Sequence, residues 1–250
     1  MDYDIAGDSH VGAVRQTNQD RVEWRRGHDG RQVLLVLADG MGGHQGGELA
    51  SQHAVAAVLD SLLPALSASV VLDTVAVRER LDAAFALATA RIQEEQAKDA
   101  RLEKMGTTLV VVWVIDSTAF IAHIGDSRCY LIADTGPRCL TRDDTVVQNM
   151  IEDGSISEAE APRVPFRNVL TRAVGASDDA TPSFRVQELA PGEGLLLCSD
   201  GLTGALPEAR WAEIIEQVAE ADDAVQALID QSLENGAGDN VSVVLMILKD

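Results

Sequence analysis

The chain has 250 residues, enough to bury a full hydrophobic core, and no linker-like stretch divides it, so a single domain over 1–250 is expected. Forty acidic against twenty basic residues leave a net charge of −20, which repels phosphate backbones and anionic lipid and argues against nucleic acid and membrane as partners. Cys129, Cys139 and Cys198 suggest neither a disulfide framework nor a zinc site, Met1-Asp2-Tyr3-Asp4 is not followed by an apolar leader, and no apolar run approaches bilayer length; a cytoplasmic protein is expected.

From the N-terminus, β-branched and aliphatic runs predict strands near 4–9, 20–25 and 32–38. Apolar spacing then predicts a helix over 48–63, with Leu49, His53, Val55, Ala56, Leu59, Leu62 and Leu63 on one stripe and Pro64 as its stop. A second helix over 74–100 turns Val77, Leu81, Ala84, Phe85, Ala88 and Ile92 inward and leaves Glu94 and Glu95 on a solvated face. Strands near 107–115, 118–124 and 128–133, separated by Asp116-Ser117 and by Gly125-Asp126-Ser127, read as an antiparallel meander rather than βαβ crossovers. A helix over 145–153, strands near 184–189 and 194–199, helices over 207–219 and 222–235, and a strand over 241–248 complete the chain, with Gly236 and Gly238 ending the last helix. Strands and long helices occur in blocks, which predicts an α+β fold with helices layered over a largely antiparallel core.

Four aspartates stand at the ends of the apolar runs, each in what reads as a tight polar turn: Asp39-Gly40, Asp126-Ser127, Asp200-Gly201 and Asp239-Asn240. If their strands converge, four carboxylates share one cleft, and hard divalent cations with oxygen ligands relieve their repulsion. The segment Asp39-Gly40-Met41-Gly42-Gly43-His44-Gln45-Gly46-Gly47-Glu48 is the strongest local signal, because its glycines let the backbone approach a ligand closely. It is not a P-loop, since Glu48 follows Gly47 where Lys-Ser/Thr is needed, and a carboxylate opening such a loop suits a cation, with the Gly40 carbonyl as a second ligand. Ser127, Ser199 and Ser242 lack a neighbouring His-Asp arrangement, so nothing supports a nucleophilic serine.

Together, Arg15-x-x-Asn18-Gln19-Asp20, Asp39-Gly40-Met41-Gly42-Gly43-His44, Gly106-Thr107-Thr108, Gly125-Asp126-Ser127-Arg128, Ser199-Asp200-Gly201 and Gly238-Asp239-Asn240 resemble, in order, the metal-dependent PP2C-type (PPM) protein serine/threonine phosphatases of the bacterial branch. The resemblance runs over 4–248. It implies a four-layer αββα sandwich, two central antiparallel β-sheets flanked by helix pairs, with metals in a cleft at one end. It further implies two Mn²⁺ or Mg²⁺ ions bridged by Asp39 and completed by the Gly40 carbonyl, Asp200 and Asp239, with Asp126 and Asp200 at a weaker third ion. Such ions, about 3.5 to 4 Å apart, lower the pKa of a bridging water that attacks phosphorus directly.

By the same resemblance Arg15 binds the substrate phosphate with its planar fork, Asp20 orients metal-bound water, and Asn240 supports the turn beside the ligands. His44 in the glycine loop is the candidate general acid, the alternative being a structural or solvent-facing histidine. Thr107 and Thr108 read as strand residues at the cleft floor, and 141–175 as a variable flap or a plain connection. Gln19 replaces a glutamate of other branches, and Asp144-Thr145 stands where many relatives have His-Ser. The implied partners are phosphorylated proteins, a Ser/Thr kinase and its substrates, with the enzyme a monomer. The competing readings are a phosphoprotein-binding module without turnover and a phosphatase of a sigma-factor regulatory protein.

Overall fold

A computed structural model describes residues 2–43, 46–67, 72–177 and 179–249. One five-stranded antiparallel sheet is built from β1 (Tyr3–His10), β7 (Arg128–Ile132), β8 (Arg138–Cys139), β10 (Gly194–Cys198) and β11 (Val241–Leu248), in the spatial order β1-β11-β10-β7-β8. The other sheet has the order β2-β3-β5-β6-β9, with strands β2 (Asp20–Arg26), β3 (Gln32–Met41), β5 (Leu109–Ile115), β6 (Thr118–Ile124) and β9 (Ser183–Glu188); the short β4 (Gly106–Thr107) pairs with the end of β3. Helices α1 (Gly46–Leu66) and α2 (Thr74–Lys98) pack on this second sheet, while α4 (Asp200–Ala205), α5 (Trp211–Glu216) and α6 (Ala221–Glu234) cover the first. The short α3 (Val146–Glu152), capped by the Thr145 side chain, stands within the flap segment.

Alternation along the strands divides the apolar residues among three buried layers. In β3, Leu34, Val36 and Ala38 face α1 and α2, whereas Val33, Leu35 and Leu37 face the opposite sheet. In β11, Val241, Val243 and Leu245 face α6, and Val244, Met246 and Leu248 face the sheet interior. Strands buried on both faces need continuous apolar runs, which is why these segments are legible as strands and the αββα sandwich follows from them.

Several expectations are corrected. The meander stops at β6: β5 and β6 pair as a hairpin, but Gly125-Asp126-Ser127 carries the chain from one sheet to the other, because β7 pairs with β10 and β8. Asp39-Gly40 is no turn; β3 runs on to Met41, opposite β2 and β4. Asp200 is the first residue of α4, a helix the sequence reading did not predict, and β8 was likewise unpredicted. Helix 207–219 is a turn of 3₁₀ helix followed by α5.

Pro64 does not stop α1, which continues to Leu66. Proline removes the bond to the carbonyl of Asp60, and both residues are exposed, where a lost hydrogen bond costs less than in a buried turn. The buried face of α1 is also not the predicted stripe: Val55 and Leu62 are on it, but the rest is largely Gly47, Ala50, Ser51, Ala54, Ala57 and Val58. At 21 residues and a mean hydropathy of 1.3 over its most apolar window, α1 does reach the length and composition of a membrane span, contrary to expectation; half of that window is buried inside the fold, against α2 and β3. By contrast α2 matches its prediction, with all six inward residues buried and its start capped by Asp73, which accepts the Ala76 N–H at 2.8 Å.

Candidate active site

Antiparallel pairing of β2 with β3 sets Asp20 directly opposite Asp39, so two carboxylates from positions 19 residues apart lie side by side. Asp20 is buried at 1% exposure; one carboxylate oxygen accepts the Ser242 hydroxyl at 2.6 Å and the other, Oδ1, has no partner. Ser242 is held in turn by Ser9 at 2.7 Å, and Asn18 Nδ2 donates to Ser9 at 2.7 Å. The backbone of Asp39 is fixed from β4 and the residue after it. Its N–H donates to Thr108 Oγ1 at 2.9 Å, while its carbonyl accepts the Thr107 hydroxyl and the Thr108 N–H, both at 2.8 Å. Thr108 Oγ1 also pairs with Ser127 Oγ at 2.7 Å, tying Asp39 to the crossover that carries Asp126.

The remaining acids arrive where the two sheets meet. Asp126 lies in the crossover after β6, Asp200 at the start of α4 after β10, and Asp239 in the bend before β11. With Asp39 they line one cleft of about 930 Å³, together with Arg15, Gly40, Thr108 and Asn240. Close backbone approach makes this possible at two glycines. A Cβ on Gly40 would lie 2.0 Å from the Gly47 carbonyl oxygen, and one on Gly201 would lie 1.8 Å from that of Asn240.

Electrostatics mark the cleft as a cation site. Burial, then the charge of Asp20 followed by Asp200, Asp126 and Asp239, pushes the Asp39 carboxyl well above the usual carboxylate range. Burial and the Asp200 charge push Asp126 to about 7, and burial with the Asp239 and Asp20 charges pushes Asp200 to about 6. Burial likewise raises Asp20, against the lowering effect of the Ser242 and Ser199 hydroxyls. Arg128 only partly offsets these charges, since its fork is engaged by Asp143 at 2.8 and 2.7 Å. An all-oxygen donor set under mutual repulsion, beside the unpartnered Asp20 Oδ1, fits hard divalent cations. Among the described residues no three acidic, histidine or cysteine side chains close on one point at ligand distance; Asp239 turns its Oδ2 to Arg15 Nη2 at 2.7 Å.

Asn240 organises the loop that bears Arg15. Its Nδ2 donates to the carbonyls of Val11 and Thr17 at 2.9 and 3.1 Å, and its Oδ1 accepts the Gln19 N–H at 2.8 Å. Gln19 contributes to the glycine loop instead of to the acids, its Nε2 donating to the Gly43 carbonyl at 2.9 Å. His44 lies outside the described residues. The flap returns to the site through Val174, which exchanges two backbone hydrogen bonds with Thr107 at 3.1 and 2.9 Å, and Asn168, Val169 and Leu170 border the cleft. At the flap's other end Asp144 is buried and accepts the Gly125 N–H at 3.0 Å, so the departure from His-Ser places a carboxylate beside the crossover.

The structure therefore brings Arg15, Asp39, Gly40, Asp126, Asp200, Asp239 and Asn240 to one cleft, with Asp20 behind Asp39. The sequence reading missed what Thr107, Thr108, Ser199 and Ser242 do as anchors of Asp39 and Asp20. Their signal was present: hydroxyl residues in or beside otherwise apolar strands, at the ends where the acids stand.

A family model described as protein phosphatase 2C matches residues 6–235. The chain is 36% identical over 247 residues to the serine/threonine protein phosphatase PstP of Mycobacterium tuberculosis, covering 98% of this chain and 45% of that protein, so it spans about half the length of this relative. It is 34% identical over 241 residues to the protein phosphatase PhpP of Streptococcus pneumoniae, covering 96% of this chain and 95% of the relative. Among solved structures, the S. agalactiae serine/threonine phosphatase matches with a TM-score of 0.90 at 28% identity, over 99% of this chain and 100% of that one. The catalytic domain of PstP in complex with two manganese ions matches with a TM-score of 0.84 at 34% identity, over 99% of both chains.

Proposed function

Because the chain belongs to the protein phosphatase 2C family, we propose that it is a metal-dependent hydrolase of phosphoserine and phosphothreonine in proteins. The observation that carries this reading is the meeting of Asp39, Asp126, Asp200 and Asp239 with Arg15 in one cleft, from five separate parts of the chain. Asp39, the Gly40 carbonyl, Asp200 and Asp239 are the residues proposed to hold two Mn²⁺ or Mg²⁺ ions, with Asp126 and Asp200 at a third. Bound there, such ions supply a water of lowered pKa and neutralise charge on the phosphoryl group. The manganese-containing PstP structure supports the two-ion reading.

The chain's own residues do the rest. Arg15 is half-exposed and its fork can take two phosphoryl oxygens, its pairing with Asp239 keeping it aimed into the cleft. Asp20, pinned by Ser242 with its other oxygen unpartnered, is the residue proposed to orient water at the ions. Thr107 and Thr108 keep Asp39 from shifting as charge builds on the phosphoryl group. His44 is the proposed proton donor to the departing serine or threonine oxygen. Phosphoproteins of a Ser/Thr kinase system in the cytoplasm are the proposed substrates.

The test is hydrolysis of a phosphothreonine peptide with Mn²⁺, with and without chelator. Turnover that requires the ion is expected. Turnover that survives the chelator would overturn the mechanism, and none despite bound Mn²⁺ would favour a binding module.

A further inference from the structure

Among the described residues six large hydrophobic side chains are exposed: Val14, Val75, Leu87, Phe166, Val169 and Val186. Scattered singly, such residues are ordinary on a protein surface. Two of these six, however, line the acidic cleft, Val14 at 69% exposure and Val169 at 49%. They come from different segments, the Arg15 loop and the flap, and Phe166, 47% exposed, is joined to Val169 by a turn in which the Val169 N–H donates to its carbonyl at 3.1 Å.

Neither valine is loosely held. The Val169 carbonyl accepts the Val146 N–H at 2.9 Å at the start of α3, and the next residue, Leu170, bridges Thr145. On the other segment, the Ala13 N–H donates to the Ala237 carbonyl at 2.9 Å and Arg15 is paired with Asp239, so Val14 sits between two anchored neighbours. Two apolar surfaces are thus kept in water at the edge of the cleft that holds Arg15 and the four carboxylates. Val14 precedes Arg15 directly. The phosphate-binding fork and this apolar side chain thus come from one loop that lines the cleft, so a polypeptide presenting its phosphoryl group to Arg15 passes along the same rim.

We propose that Val14 and Val169 form an apolar clamp for an aliphatic side chain immediately next to the phosphorylated serine or threonine, so that the enzyme selects phosphosites flanked by Leu, Ile or Val. The proposal rests on the phosphatase reading, because the occupant is the polypeptide that must enter the cleft to present its phosphoryl group. An acidic neighbour is disfavoured by the net charge of −20.

The experiment measures kcat/KM with Mn²⁺ for phosphothreonine peptides that carry Leu, Gly or Glu on either side of the phosphothreonine, alongside p-nitrophenyl phosphate. On one side Leu should exceed Gly by roughly tenfold, the scale of discrimination a small apolar contact provides. Val14→Ser and Val169→Ser should each reduce that ratio, and together bring it to about one. Val75→Ser, the same change on an exposed residue of α2, should keep it, and Val14→Leu should raise it without removing any contact. Equal rates for all peptides, or a ratio that survives Val14→Ser/Val169→Ser, would overturn the clamp while p-nitrophenyl phosphate turnover leaves the phosphatase reading standing. Absence of turnover on both kinds of substrate would overturn the phosphatase reading and the clamp with it.

Discussion

Replacing Thr108 by Val keeps the side-chain shape and removes one oxygen. That oxygen accepts the Asp39 N–H at 2.9 Å and pairs with Ser127 Oγ at 2.7 Å, and Thr108 and Ser127 are 2% and 1% exposed. Valine leaves both groups without their partner at side chains that are almost fully buried, although Thr108 borders the cleft. Each buried polar group left unpaired costs about 1 to 3 kcal/mol, so the pair should lower stability by roughly 2 to 6 kcal/mol. For a chain of this length about 1 kcal/mol corresponds to roughly 2 to 4 °C in Tm, which makes the expected drop about 4 to 24 °C. The assay is thermal unfolding in chelator, repeated with a Mn²⁺ titration to follow how well Asp39 still serves the cleft. Thr108→Ser, which retains the hydroxyl and loses only a methyl group, should recover most of the loss and restore the Mn²⁺ response. If Thr108→Val melts within about 1 °C of the native protein, or Thr108→Ser falls as far as Val, the hydroxyl is not what anchors Asp39.

Asp39→Asn should abolish both turnover and the rise in Tm that Mn²⁺ produces, because an ion that binds only the folded state stabilises it by linkage; an unchanged rise would refute the ligand assignment. Arg15→Ala should mainly raise KM and barely change Tm, since the Arg15–Asp239 pair has side chains 53% and 40% exposed and such pairs contribute about 1 kcal/mol or less. A lost kcat at constant KM would assign Arg15 another role. The raised carboxyls predict a pH dependence. In metal-free protein Asp126 and Asp200 titrate near 7 and 6 against an ordinary value of 3.8, so their destabilising charge is absent below about pH 4 and fully present above about pH 7. Their contribution to Tm in chelator should therefore fall as pH rises through that window, while the increment from saturating Mn²⁺ grows; an increment that does not change between pH 5 and 7.5 would contradict the shared acidic cleft.

Some of this protein is decided by local sequence. The run 33–38 is apolar at every position because β3 is buried on both faces, and α2 presents large residues at helical spacing to one sheet, so both are legible without a structure. The acids were legible as a set for a related reason: each interrupts an apolar run with a group that no core accepts unpaired.

α1 departs from its predicted stripe because Gly, Ala and Ser, which allow close packing, make up much of its buried face beside Val55, Val58 and Leu62, while Leu49 and Leu59 lie at the margin. Likewise Gly125, with φ of 104°, fits a hairpin as well as a crossing between sheets, and only the distant partners of β7 select the second. Which segments bury their faces, and which carboxylates could serve a cation, can be read from local stretches of chain. That Asp20 stands opposite Asp39, that Asp239 arrives beside Arg15 from 224 residues away, and that threonine and serine hydroxyls hold the acids in place emerge only when distant segments pack. Burial pattern is a property of each segment, whereas register and long-range pairing depend on partners that no local stretch of chain contains.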